Sequence, residues 1–173
     1  MKVRFLFPLM ILLIVIGVAK ATPQNPDFLT YEGKRYPIYG EPLERYFKAN
    51  PDRRPKFCGG ISSLWRGYVA EMEIVGTELF LNDIKIHTVN PHDPTCLKES
   101  KLDEVSKDGK RFKLDWFTGL LQAAHGEFVG DDDPYSFWKN FEKYTLFTIK
   151  NGNVERIRHF TNAEYQEFLK EKQ

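Results

Sequence analysis

From Leu64 to Ile74 the chain alternates. Leu64, Arg66, Tyr68, Ala70, Met72 and Ile74 fall on one face, and Trp65, Gly67, Val69, Glu71 and Glu73 on the other. A period of two is the signature of a strand with one buried face. Val75-Gly76-Thr77-Glu78 then reads as a tight turn, with Gly76 supplying a positive φ. The return strand runs from Leu79 to Val89. Its phase is less clean: Phe80, Ile84 and Ile86 share one face, and Leu79, Leu81, Asp83, Lys85 and His87 the other.

Similar patterning flanks this hairpin. Two aromatic runs around Glu32-Gly33 predict a small hairpin over residues 28–39. Pro42 opens a helical turn to Lys48, with Leu43, Tyr46 and Phe47 at i, i+3, i+4. Asn50 to Pro55 is a turn-rich loop, and Leu102 to Lys107 a helical turn ended by Asp108-Gly109. Residues 112–124 read as a strand with Leu114, Trp116, Thr118 and Leu120 on one face, interrupted at Gly119. Asn151-Gly152 is the clearest hairpin turn, between Leu146–Lys150 and Val154–Phe160. Thr161 with Glu164 forms a capping box for a final helix, Asn162 to Lys172, whose Tyr165, Phe168 and Leu169 line one face. Short turns between successive strands imply antiparallel pairing. The expected fold is mainly β, bordering on α+β: a curved antiparallel sheet or partly open barrel with one C-terminal helix.

The first 21 residues do not belong to that pattern. Lys2 and Arg4 precede an apolar run, Phe5 to Val18, and Ala19-Lys20-Ala21 follows it. This reads as a signal peptide cleaved after Ala21, with retention as an N-terminal anchor the alternative. Residues 22–173 then form a single β-rich domain, exported to the periplasm or outside the cell, with no other run long enough to span a bilayer. Of the 25 Lys and Arg, three lie in the leader, and none of the 24 Asp and Glu do, so the mature part is two charges negative. A mixed surface of that kind argues against nucleic acid as partner. Cys58 and Cys96, an even pair in an exported chain, are expected to form a disulfide.

The segments LWRGYVAEMEI…ELFL, DWFTGLL…GEFV and YTLFTIKNGNV resemble a group of small bacterial proteins of unknown function. Their shared pattern is a WRGY strand, a WFTG strand and a late NG or DG hairpin. The likeness covers most of residues 29–158 and implies a fold, not an activity. This chain has Glu71-Met72 where that group tends to have Thr-Trp. It has GDDDPYSFW where the group has a Gly- and Tyr-rich segment.

No catalytic signature emerges. His87, His92 and Asp93 lack the spacing of a zinc site, and the Asp131, Asp132, Asp133 run lacks that of a calcium loop. Glu71 and Glu73 share a strand face and read as solvated charges, and a bonded Cys58 is no nucleophile. No cofactor or metal is expected. Arg66, a cation on an apolar face, needs a partner, with Glu44, Asp115 or Trp116 as candidates. It either pins two strands or anchors a ligand. The expectation is a non-enzymatic binding protein, in its sharpest form a periplasmic immunity or inhibitor protein that caps a toxin or hydrolase. The acidic aromatic loop with Asp131–Asp133 and Tyr135 is the candidate contact. The alternative is a binder of a small ligand or envelope component, in a pocket near Arg66, Tyr68 and Trp116; an unrecognised enzyme ranks third.

Overall fold

The computed structural model describes residues 25–56, 62–89, 96–106, 108–129 and 140–171. Among them are nine strands in one sheet: β1 (Asp27–Tyr31), β2 (Lys34–Ile38), β3 (Tyr68–Val75), β4 (Glu78–Val89), β5 (Cys96–Ser100), β6 (Phe112–Lys113), β7 (Gly119–Phe128), β8 (Phe141–Lys150) and β9 (Asn153–Thr161). Seven of them close a ring in the order β3-β1-β2-β7-β8-β9-β4, because β4 also pairs with β3. The fold is thus mainly β and barrel-like, as the alternation predicts. Helix α1 (Glu44–Ala49) and the short turn α2 (Leu102–Val105) pack against the barrel's core, and α3 (Asn162–Lys170) is the C-terminal helix.

One pairing departs from the all-antiparallel expectation: β1 and β3 are parallel. The β1–β2 hairpin returns the chain to the end where β1 began. The described residues of the connection, α1 among them, stay at that end, and the chain re-enters as β3 in the direction of β1. A connection of that length satisfies the need of parallel strands for a long crossover.

Leu29, Ile38, Met72, Leu79, Leu81, Ile84, Leu121, Ala123, Phe147 and Ile149 fill the interior, none more than 2% exposed. A barrel this narrow is filled by its own side chains. Leu43 and Phe47 of α1 add to this core. On the outer face, α3 lays Tyr165 on Tyr144 (ring centroids 4.2 Å apart). The Thr161–Glu164 capping box is formed as expected, while Leu169 stays exposed.

Three local readings change. Leu64 and Arg66 precede β3 in a turn, closed by the Gly67 N–H on the Leu64 carbonyl with Gly67 at φ +82°. The ambiguous phase of β4 is a β-bulge: pairing passes from Glu71↔Asp83 to Met72↔Leu81, leaving Asn82 extra. The bulge lets Leu79 and Leu81 on one side and Ile84 and Ile86 on the other all point inward. The strand expected over 112–124 is broken by a turn, Phe117 N–H to Leu114 carbonyl, so β7 starts at Gly119 and its phase slips. Leu121 and Ala123 are inside, and Leu120 is 54% exposed.

Candidate functional site

The end of the barrel that α1 covers holds Arg66, Tyr68 and Trp116. Arg66 is there, 1% exposed. Its partner is none of the three candidates named above. It donates to Asp27 Oδ2 at 2.9 Å and to the Asn25 carbonyl at 2.7 Å, with Glu41 at 3.9 Å. Asp27, fully buried, also accepts the Ala70 N–H at 2.8 Å. The guanidinium lies 5.3 Å over the Tyr68 ring. Tyr68 donates its hydroxyl to Glu44 Oε1, and Arg54 donates to both oxygens of Glu44 and to the Arg66 carbonyl. Burial pushes the Asp27 carboxyl up to about 6, against the pull of Arg66 and the Ala70 amide. Burial, with the Asp27 and Glu44 charges, drives the Tyr68 hydroxyl far above its ordinary range.

Within this network the Arg66 Nε–H is buried without a hydrogen-bond partner. Neither of the two hollows that Trp116 borders is lined by Arg66 or Tyr68. Arg66 and Tyr68 join the start of β3 to β1 and to α1, the contacts that a strand-pinning role requires.

Trp116 lies on the surface side. The turn before β7 presents its indole flat against Tyr46 of α1, centroids 4.7 Å apart and planes 22° apart. Phe117 meets it edge-on. The stack separates two hollows. One, about 310 Å³, is bounded by Arg45, Tyr46, Asn50, Trp116, Phe117 and Thr118. The other, about 550 Å³, is bounded by Tyr46, Arg53, Asp108, Phe112, Asp115 and Trp116. The indole N–H is buried without a hydrogen-bond partner. A buried donor left unpaired costs about 1–3 kcal/mol.

Sequence reasoning named Trp116 but missed Tyr46 as its companion, because only the α1 crossover brings them together. It also missed a histidine pair. His125 Nε2 and His159 Nδ1 both lie 3.1 Å from the Thr145 hydroxyl oxygen. Those residues sit on β7, β8 and β9, and their meeting depends on strand register alone.

Glu71 and Glu73 stand on the outer face, Glu71 with Arg35 and Lys85, Glu73 with Arg111 and Asn82. They are solvated and paired, as read. Asp131, Asp132, Asp133, Tyr135, Cys58, His92, Asp93 and the 21-residue leader lie outside the described residues. Cys96 opens β5, but its expected partner is among those, so the disulfide is not placed. Among the described residues no three His, Cys, Asp or Glu side chains gather as a metal site, and no helix is long and apolar enough to cross a membrane.

The fold and this aromatic face define a small filled β-barrel with a two-sided cleft at its covered end. No protein-family model matches the chain, and neither does any curated protein or solved structure. The likeness to the WRGY group therefore rests on its motifs.

Proposed function

We propose that this chain is an exported, non-enzymatic binding protein that recognises another protein through the Tyr46–Trp116 face. The observation that carries the reading is the stacked pair itself: a half-buried Trp with an unpaired indole N–H and open hollows on both sides, set on a barrel whose interior is packed with apolar side chains. Tryptophan, tyrosine and arginine in a hollow are the residue types that dominate protein–protein recognition energies. Export by the 21-residue leader puts the protein among secreted toxins and hydrolases, and capping one of them is the sharpest form of the proposal. The second reading is an envelope component. It is favoured by the size of the larger hollow, within the range of small-molecule sites, and by Arg53, Asp108 and Asp115 on its rim.

Immobilised residues 22–173 should capture a protein from envelope extract. Trp116→Ala should weaken capture at least about tenfold, the scale of a hot spot. Arg45→Glu, at the edge of the smaller hollow, should weaken it by reversing charge without touching the core. Recovery of no protein by the wild type, or equal capture by both variants, ends the protein-binding reading. Retention of cell-envelope polymer in its place supports the second one.

A further inference from the structure

The opposite side of the barrel carries its own chemistry, independent of the Tyr46–Trp116 face. His125 follows the buried Leu121 and Ala123 at alternate positions of β7, so it lies on the inward face near the strand's end. In the register it stands across from Lys143, while Thr145 stands across from His159. From β2, Tyr36 packs edge-on against His125, ring centroids 5.5 Å apart. Lys34 is two positions back on the same face, paired with Tyr31. Thr145 is 4% exposed, His125 is half-buried, and His159, Lys34 and Lys143 reach solvent.

A hydroxyl has one proton. Thr145 satisfies both rings when one imidazole donates to its oxygen and the other accepts its hydrogen. When both rings are protonated, both nitrogens are donors, and the hydroxyl hydrogen has to turn away. The rim then carries four positive charges. Burial, then Lys143, His159 and Lys34, already hold the His125 imidazole below its ordinary range.

Among the described acids near this rim, Glu127 is exposed two positions beyond His125, and three others are engaged elsewhere. Glu32 is engaged with the Tyr31 hydroxyl, Glu142 accepts the Glu127 N–H, and Glu164 caps α3 through Thr161. None of the ion pairs among the described residues involves Lys34, His125, Lys143 or His159.

We propose that the rim formed by Lys34, His125, Lys143 and His159 is a binding site for a small oxyanion, a phosphate or carboxylate group, that fills as pH falls. An oxyanion supplies what the doubly protonated bridge lacks: an acceptor for imidazole N–H groups and a charge opposite to the four cations. Affinity rises as the pH drops through the histidine midpoints, because each added proton creates a donor and a charge.

The test follows the four histidine ring signals by NMR across pH, in inorganic phosphate, in acetate and in chloride at one ionic strength. Phosphate or acetate should raise the midpoints of His125 and His159 by about half a unit or more over chloride, as an opposite charge at contact does. The anion with the larger rise identifies the ligand class. Lys34→Gln with Lys143→Gln, both at exposed positions, should remove most of the rise while leaving the chloride spectrum folded. Identical midpoints in all three salts overturn the proposal, and so does a rise that survives loss of both lysines. Neither result bears on capture through Trp116.

Discussion

Asp27→Ala should lower the unfolding free energy at pH 7 by about 3–5 kcal/mol, the scale for removing one partner of a buried ion pair. The carboxylate holds three things: the Arg66 guanidinium, the Ala70 amide and, through Arg66, the Asn25 carbonyl just before β1. Without it Arg66 stays charged, 1% exposed, with only Glu41 at 3.9 Å as counter-charge. Arg66→Met should cost a similar amount, for Asp27 must then either take up a proton or stay ionised in a dry site. The double change Asp27→Leu with Arg66→Met should regain much of either loss, since apolar pairs of like volume often replace buried ion pairs at little cost. Urea denaturation of the four chains checks this. Equal losses in the single and double variants would mean that packing, not charge, holds this end.

The same pair predicts a pH dependence. The folded carboxyl binds its proton more tightly than the unfolded chain does, with a midpoint near 6 against 3.8. Stability from that proton is complete below about 4 and is lost as pH rises through 6, an effect of about 3 kcal/mol at most. Asp27→Asn, which does not titrate, should lack this component. The difference in stability between wild type and Asp27→Asn should therefore move against the wild type between pH 4 and 7.

The second large effect is expected at Gly152. Here φ is +69°, and a Cβ would lie 2.6 Å from the Leu114 carbonyl oxygen and 3.0 Å from Asp115 Cα. Both neighbours are backbone and cannot swing aside. Gly152 sits where the ring closes: its N–H reaches the Phe117 carbonyl, its carbonyl accepts the Leu79 N–H, and Val154 N–H reaches Thr77. Next to it is the single β4–β9 pair, Glu78↔Asn153. Gly152→Ala should cost about 3 kcal/mol, from roughly 1–2 for the left-handed backbone and roughly 1–3 for the clash. Gly33→Ala is the control. Its φ is +73°, but nothing stands within 4 Å of the added carbon. It should cost only about 1 kcal/mol, the backbone part alone. Thermal melts give the contrast, and hydrogen exchange at Leu79 and Val154 should quicken only in Gly152→Ala. If the two glycines prove equal, the close approach at the seam does not matter to stability.

The two glycines show what kind of information lies where. Both turns are legible in the chain: Glu32-Gly33 and Asn151-Gly152 sit between alternating runs, and both adopt positive φ. Nothing local says that one turn is free and the other wedged against residues 114–117. Arg66 divides in the same way. A cation in an apolar stripe announces that a partner exists. The partner, Asp27, is 39 positions away, on a strand reached only by the parallel β1–β3 pairing.

Local physical chemistry determined the strands flanking the three hairpin turns around Gly33, Gly76 and Gly152, the turns themselves, the capping box at Thr161 and the apolar face of α1. Each rests on contacts within a few residues, where the backbone's own preferences decide. Ring closure, the bulge at Asn82, the Tyr46–Trp116 stack and the His125–Thr145–His159 bridge came only with the tertiary structure. Each joins residues on separate elements. A strand slipped by one position would satisfy the same backbone hydrogen bonds, and only packing of the whole barrel chooses among registers. The hairpin from Tyr68 to Val89 thus provides the frame, and the crossover and the register set which side chains meet at the barrel's two ends.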